Sequence, residues 1–152
     1  MTNDNPIRTR FVFAPPVDDA TAWNLSLDRF AEALEQGFPG AWTKHEGPLG
    51  PRPSDTLSFE VEIAEGVWLE GLATTPFEGM GSVMVENASV TEAAVFAAWL
   101  RDSFTPSPEL VHFSSEFAMN RGDESVWRIP AAGGTEAIAE ELQRHIDTAG
   151  QL

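Results

Sequence analysis

The sequence predicts an α+β fold, a mainly antiparallel sheet of about five to seven strands with two or three helices packed on one face. Three observations carry this. Apolar and polar residues alternate in two runs through Asp55–Thr74, which is the patterning of half-buried strands. A short break at Ala64-Glu65-Gly66 joins those runs, as a hairpin requires. Elsewhere, apolar residues recur at helical spacing behind N-cap signals at Ser26 and Ser89.

The alternation divides the hairpin into two faces. Leu57, Phe59, Val61 and Ile63 share one side, against Ser58, Glu60 and Glu62. Beyond the break, Val67, Leu69, Gly71 and Ala73 lie opposite Trp68, Glu70 and Leu72. The outer face thus carries three carboxylates and a tryptophan, an odd set to leave in water. Glu60, Glu62, Trp68 and Glu70 are therefore the candidate partner-binding residues.

Along the chain, Met1–Pro6 reads as a frayed terminus. Ile7–Ala14 alternates as a strand, with Phe11 and Phe13 on one side and Arg8, Arg10 and Val12 on the other, and Pro15-Pro16 ends it. If this strand neighbours the hairpin, Arg8 and Arg10 face Glu60 and Glu62 as cross-strand pairs. Leu27, Phe30, Ala31 and Leu34 then form one helical stripe, closed by Gly37 and Pro39. Lys44–Ser54 and Thr75–Gly81 read as loops, and Ser82–Glu86 as a strand. Ser89-Val90-Thr91-Glu92 is a capping box opening a nearly all-apolar helix to about Phe104, whose polar side begins only at Arg101 and Asp102. Leu110–Met119 alternates, Asn120–Ser125 is a polar turn, and Val126–Ile129 returns as a strand. Thr135 caps a last helix with Ile138, Ala139, Leu142, Ile146 and Ala149 inward.

A length of 152 residues fits a single acidic α+β domain over 1–152, and 42% hydrophobic residues with ten Phe and five Trp supply a core. The absence of cysteine excludes disulfides and thiolate chemistry and fits a reducing cytoplasm. Neither a membrane-length apolar run nor a leader pattern is present. The net charge of −15 opposes nucleic-acid binding, which depends on Lys and Arg. Its distribution is sharper still. Between Arg52 and Arg101 there is no Lys, Arg or His, while Asp55, Glu60, Glu62, Glu65, Glu70, Glu78, Glu86 and Glu92 all lie there. Such a field steers a basic partner.

The element order, β-α-β-β-β and then β-α-β-β-α, suggests a pseudo-duplicated β-α-β-β arrangement. It is similar to the paired βαβββ modules of the vicinal-oxygen-chelate family, whose metal ligands are strand His and Glu residues. The first strand here has neither, so no residue is carried over. Of the three histidines, His45 falls in a loop, His112 faces away from Val111 and Phe113, and His145 lies on the last helix. Metal-ligand spacings, a nucleophile elbow and a full phosphate-loop motif are all missing. The reading is thus a non-catalytic protein-binding domain, of inhibitor or immunity type, that neutralises a basic protein through its acidic sheet face, with no cofactor or metal. One alternative is a small-molecule-binding protein or enzyme with a pocket between the sheet and loops 44–54 and 75–81, lined by Trp42, Phe77 and Met80. Another is a self-assembling protein, such as a homodimer, joined through Trp68 and Leu72.

Overall fold

One seven-stranded antiparallel sheet organises the chain. The computed structural model describes residues 7–47 and 55–152; the expected fraying of Met1–Pro6 and most of the Lys44–Ser54 loop lie outside them. The strands are β1 (Thr9–Ala14), β2 (Trp42–His45), β3 (Asp55–Ala64), β4 (Val67–Phe77), β5 (Met80–Ala88), β6 (His112–Ser115) and β7 (Trp127–Arg128). Their order across the sheet is β2-β3-β4-β5-β1-β6-β7. The helices are α1 (Leu27–Gly37), α2 (Val90–Trp99), the single turn α3 (Glu116–Met119) and α4 (Thr135–Ala149). An open α+β sheet is the predicted class; the long β3–β4 hairpin of the first half is answered in the second only by the short pairing of β6 with β7.

The inner face forms because β1, β3, β4 and β5 each offer alternate apolar residues. Leu57, Phe59 and Val61 of β3, Leu69 and Ala73 of β4, Val83 and Val85 of β5, and Phe11 and Phe13 of β1 are all buried. Phe30 of α1 and Phe96 of α2 meet Phe59 at centroid distances of 5.7 and 5.6 Å, and Phe13 meets Phe96 at 6.1 Å. Each buried Leu or Phe contributes about 1.5–3 kcal/mol, and the ring contacts add specificity of orientation. Gly71 makes room for this stack: a Cβ there would lie 2.2 Å from Phe59 Cζ and 2.4 Å from the Met84 carbonyl oxygen.

Local signals hold where they were strongest. Ser26 caps α1 by accepting from the Arg29 N–H, and Ser89 and Glu92 complete the capping box at 3.2 and 3.1 Å. Several expectations are corrected. Lys44 and His45, expected at the start of a loop, instead complete an edge strand, Trp42–His45, paired to Leu57–Glu60. Thr75–Gly81 is no loop either, since β4 runs to Phe77 and β5 starts at Met80, leaving a tight turn with Gly79 at φ 76°. The strand expected over Leu110–Met119 stops at Ser115, whose hydroxyl accepts from the Ala118 N–H at 3.1 Å and starts α3. Thr135 is the first residue of α4, and Gly134 stands at the cap without a side-chain bond. After Trp99 the helix widens into a π-turn over Leu100–Phe104. That turn carries Arg101 inward rather than onto a polar face. Arg101 is 5% exposed and donates to the Pro130 and Gly133 carbonyls, each at 2.7 Å, and to Asp102.

Candidate functional site: the acidic outer face of the sheet

Alternation that buries Phe59 and Leu69 sends Glu60, Glu62, Trp68, Glu70 and Leu72 to the opposite face. The register sets them in rows across the strands. Trp42 opposes Glu60, Glu60 opposes Glu70, and Glu62 opposes Trp68. Gly71 opposite Val85 puts Glu86 beside Glu70. The next row reads Lys44, Ser58, Leu72, Met84, Val12 and Ser114 through successive pairings. A shallow concavity of about 400 Å³ results, lined by Trp42, Glu46, Ser58, Glu60, Glu70, Leu72 and Glu86.

Arg8, just before β1, and Arg10, within it, do not neutralise Glu60 and Glu62. β1 lies between β5 and β6, so two strands separate it from β3, and the cross-strand pairing expected from a neighbouring hairpin cannot form. Arg8 instead bonds Glu92 at 2.6 Å and the Asn87 carbonyl at 3.1 Å. Arg10 bonds Glu86 at 2.7 Å and approaches Glu116 at 3.7 Å. Its guanidinium pKa is raised, first by the hydrogen bond to Glu86. Among the described residues no ion pair reaches Glu60, Glu62 or Glu70. Glu62 has a structural duty as well, accepting the Gly66 N–H at 2.9 Å to close the β3–β4 turn. Glu60 and Glu70 are left as like charges in direct opposition, a pairing that disfavours the sheet.

Trp42 is 47% and Trp68 50% exposed. Trp42 therefore belongs with the acidic row, next to Glu60, while Phe77 and Met80 oppose each other at the β4–β5 turn. The concavity that holds Trp42 is not lined by Phe77 or Met80. Sequence reasoning counted Glu86 in the acidic field but did not place it, Met84 or Trp42 on this face. Trp42 and Lys44 do alternate, but four residues make too short a run to declare a strand.

The histidines are dispersed. His45 is exposed and 3.4 Å from Asp28. His112 faces outward on β6, half-buried, with its Nδ1 sealed and without a partner among the described residues. Burial, and then Arg128, lowers its pKa, with Asp18 opposing. His145, on the helix where the sequence puts it, is fully buried within α4. Its Nε2 lies 2.8 Å from Ser115 Oγ, and its ring meets Phe113 and Trp127 edge-on, both at 4.9 Å. Burial lowers its pKa against the pull of Asp123. The Ser115–His145 contact has the composition of a nucleophile and base. With neither side chain exposed, and Ser115 already capping α3, it serves as a clasp between β6 and α4.

The outer face can do one kind of chemistry well. Carboxylates at this spacing accept guanidinium or ammonium groups, and an exposed indole beside them offers a flat surface to the cation or its stem. Among the described residues no helix is long and apolar enough to cross a membrane, and no group of His, Asp and Glu is placed to hold a metal ion. Compared with models of protein families, with curated proteins and with solved structures, the chain finds no match.

Proposed function

We propose that this chain is a protein-binding domain, of inhibitor or immunity type, that neutralises a basic protein through the outer face of its sheet. The observation that carries the reading is the direct opposition of Glu60 and Glu70 with Arg8 and Arg10 engaged elsewhere. A face serving only the fold gains nothing from two like charges that no ion pair among the described residues reaches, beside an exposed Trp42. A face serving a cationic partner gains affinity, orientation and a faster encounter. Trp42 and Trp68 supply the aromatic anchors that such interfaces concentrate.

The test is capture of partners from a lysate of the source cells by the tagged protein at low salt. The retained protein is expected to be basic and to elute at raised salt. It should also lose its own activity on mixing with the wild-type domain. The E60Q/E62Q/E70Q variant should release it and slow its association. A variant that holds the same protein equally well at low salt would sink the reading.

A further inference from the structure

We infer that a second cavity on the same outer face receives a bulky apolar side chain of that basic partner; this rests on the partner-binding reading above. The cavity measures about 480 Å³ and lies toward the β6–β7 end of the sheet. Val12, Ala14, His112 and Ser114 line it from the outer face of β1 and β6, and Met119, Val126 and Trp127 from the segment that follows β6. It holds an aromatic or branched aliphatic group comfortably.

Three features assign the cavity to a partner's anchor. Its rim is apolar and open, with Val17, Val126 and Met119 all exposed; a small free ligand would leave that rim in water, whereas a protein surface covers it. Asp123 and Glu124 also line the cavity, so a neighbour of positive charge is favoured here as it is at Glu60 and Glu70. Asp123 is held as a carboxylate, its pKa lowered first by the Ser125 N–H. Finally, the row Leu72, Met84, Val12 and Ser114 runs unbroken from the acidic concavity to the cavity, giving a partner continuous footing.

The geometry specifies the partner's spacing. Three strand steps of about 4.8 Å separate β4 from β6 and two residues separate the rows, placing cation and anchor roughly 15 Å apart. An extended segment covers that in about five residues at ~3.3 Å each.

The experiment uses three fluorescein-labelled synthetic peptides read by anisotropy. The first carries an Arg-Lys-Arg segment and, about five residues on, a Trp. The second has Ser for that Trp, and the third has Gln for the three cations. The first is expected to bind at least tenfold tighter than the second, a difference that the cavity-filling Ser114→Phe removes without changing affinity for the second. Far-UV circular dichroism checks the fold of that variant. Val126→Ser, on the exposed rim, repeats the test with less structural risk. Equal affinity of the first two peptides, or a difference that survives both substitutions, overturns the inference. In that event continued weakening by E60Q/E70Q would leave the basic-partner reading standing. Free indole binding as tightly as the first peptide would make this a small-molecule site and likewise overturn the assignment.

Discussion

Replacing Glu70 by Gln should make the protein more stable, and the gain should vanish in salt. Glu70 lies between Glu60, directly opposite on β3, and Glu86, whose charge Arg10 largely cancels at 2.7 Å. Glutamine keeps the shape and removes the charge. Two carboxylates about 6 Å apart in a water-like dielectric repel by about 0.7 kcal/mol. Screening at ~0.1 M salt, where the Debye length is about 10 Å, leaves about 0.4 kcal/mol. That lies within the range of ~0.2–1 kcal/mol for cross-strand pairs and raises Tm by about 1–2 °C in a chain of this size. At ~1 M salt the Debye length of about 3 Å reduces the gain below ~0.1 kcal/mol. The repulsion is pairwise, so Glu60→Gln alone should give a similar gain and the double variant no more than either single. Urea unfolding of the four proteins at the two salt concentrations measures the cycle. A destabilised E70Q, a gain that persists at high salt, or additive singles would each refute the argument that these two charges oppose the fold.

Two further outcomes follow from the packing. His145 is buried with its pKa lowered by burial, so the unfolded chain takes up its proton first and folding stability should fall as pH drops below the ordinary histidine value of about 6.5. His112 is shifted the same way, so His145→Asn should flatten the dependence of the urea midpoint on pH only in part; an unchanged profile would show that His145 does not contribute. Gly71→Ala should cost about 3 kcal/mol or more, because the new Cβ meets the Met84 carbonyl, which cannot step aside, as well as the Phe59 ring. Calorimetry showing a loss below about 1 kcal/mol would mean that β4 and β5 shift freely.

The parts legible in the sequence were those written in local periods. β3 and β4 alternate over ten and eleven residues, long enough for the pattern to decide both the element and the face, so Glu60, Glu62, Trp68 and Glu70 were placed on the outer side from sequence alone. The Ser89–Glu92 cap is a four-residue signal satisfied by its own backbone. What stayed hidden depends on groups far along the chain. Arg101 resembles the start of a polar face until Pro130 and Gly133, some thirty residues on, present their carbonyls. His145 resembles a surface residue until Ser115 and two rings close around it. The insertion of β1 between β5 and β6 left no local trace, and it decided where Arg8 and Arg10 would point.

That insertion also explains how the acidic face can persist. A strand carrying arginines beside β3 would have quenched Glu60; placed beside β5, β1 quenches Glu86 instead and leaves the Glu60–Glu70 pair intact. The repulsion of about 0.4 kcal/mol is small against the ~1.5–3 kcal/mol contributed by burying one ring such as Phe59. Phe59 and Glu60 are adjacent on one strand, so the alternation that drives the ring into the core is what presents the carboxylate to solvent. Fold and candidate site are thus two faces of one periodicity. Substitutions on the outer face of β3 and β4 should therefore change binding far more than they change folding, whereas the inner face should show the reverse.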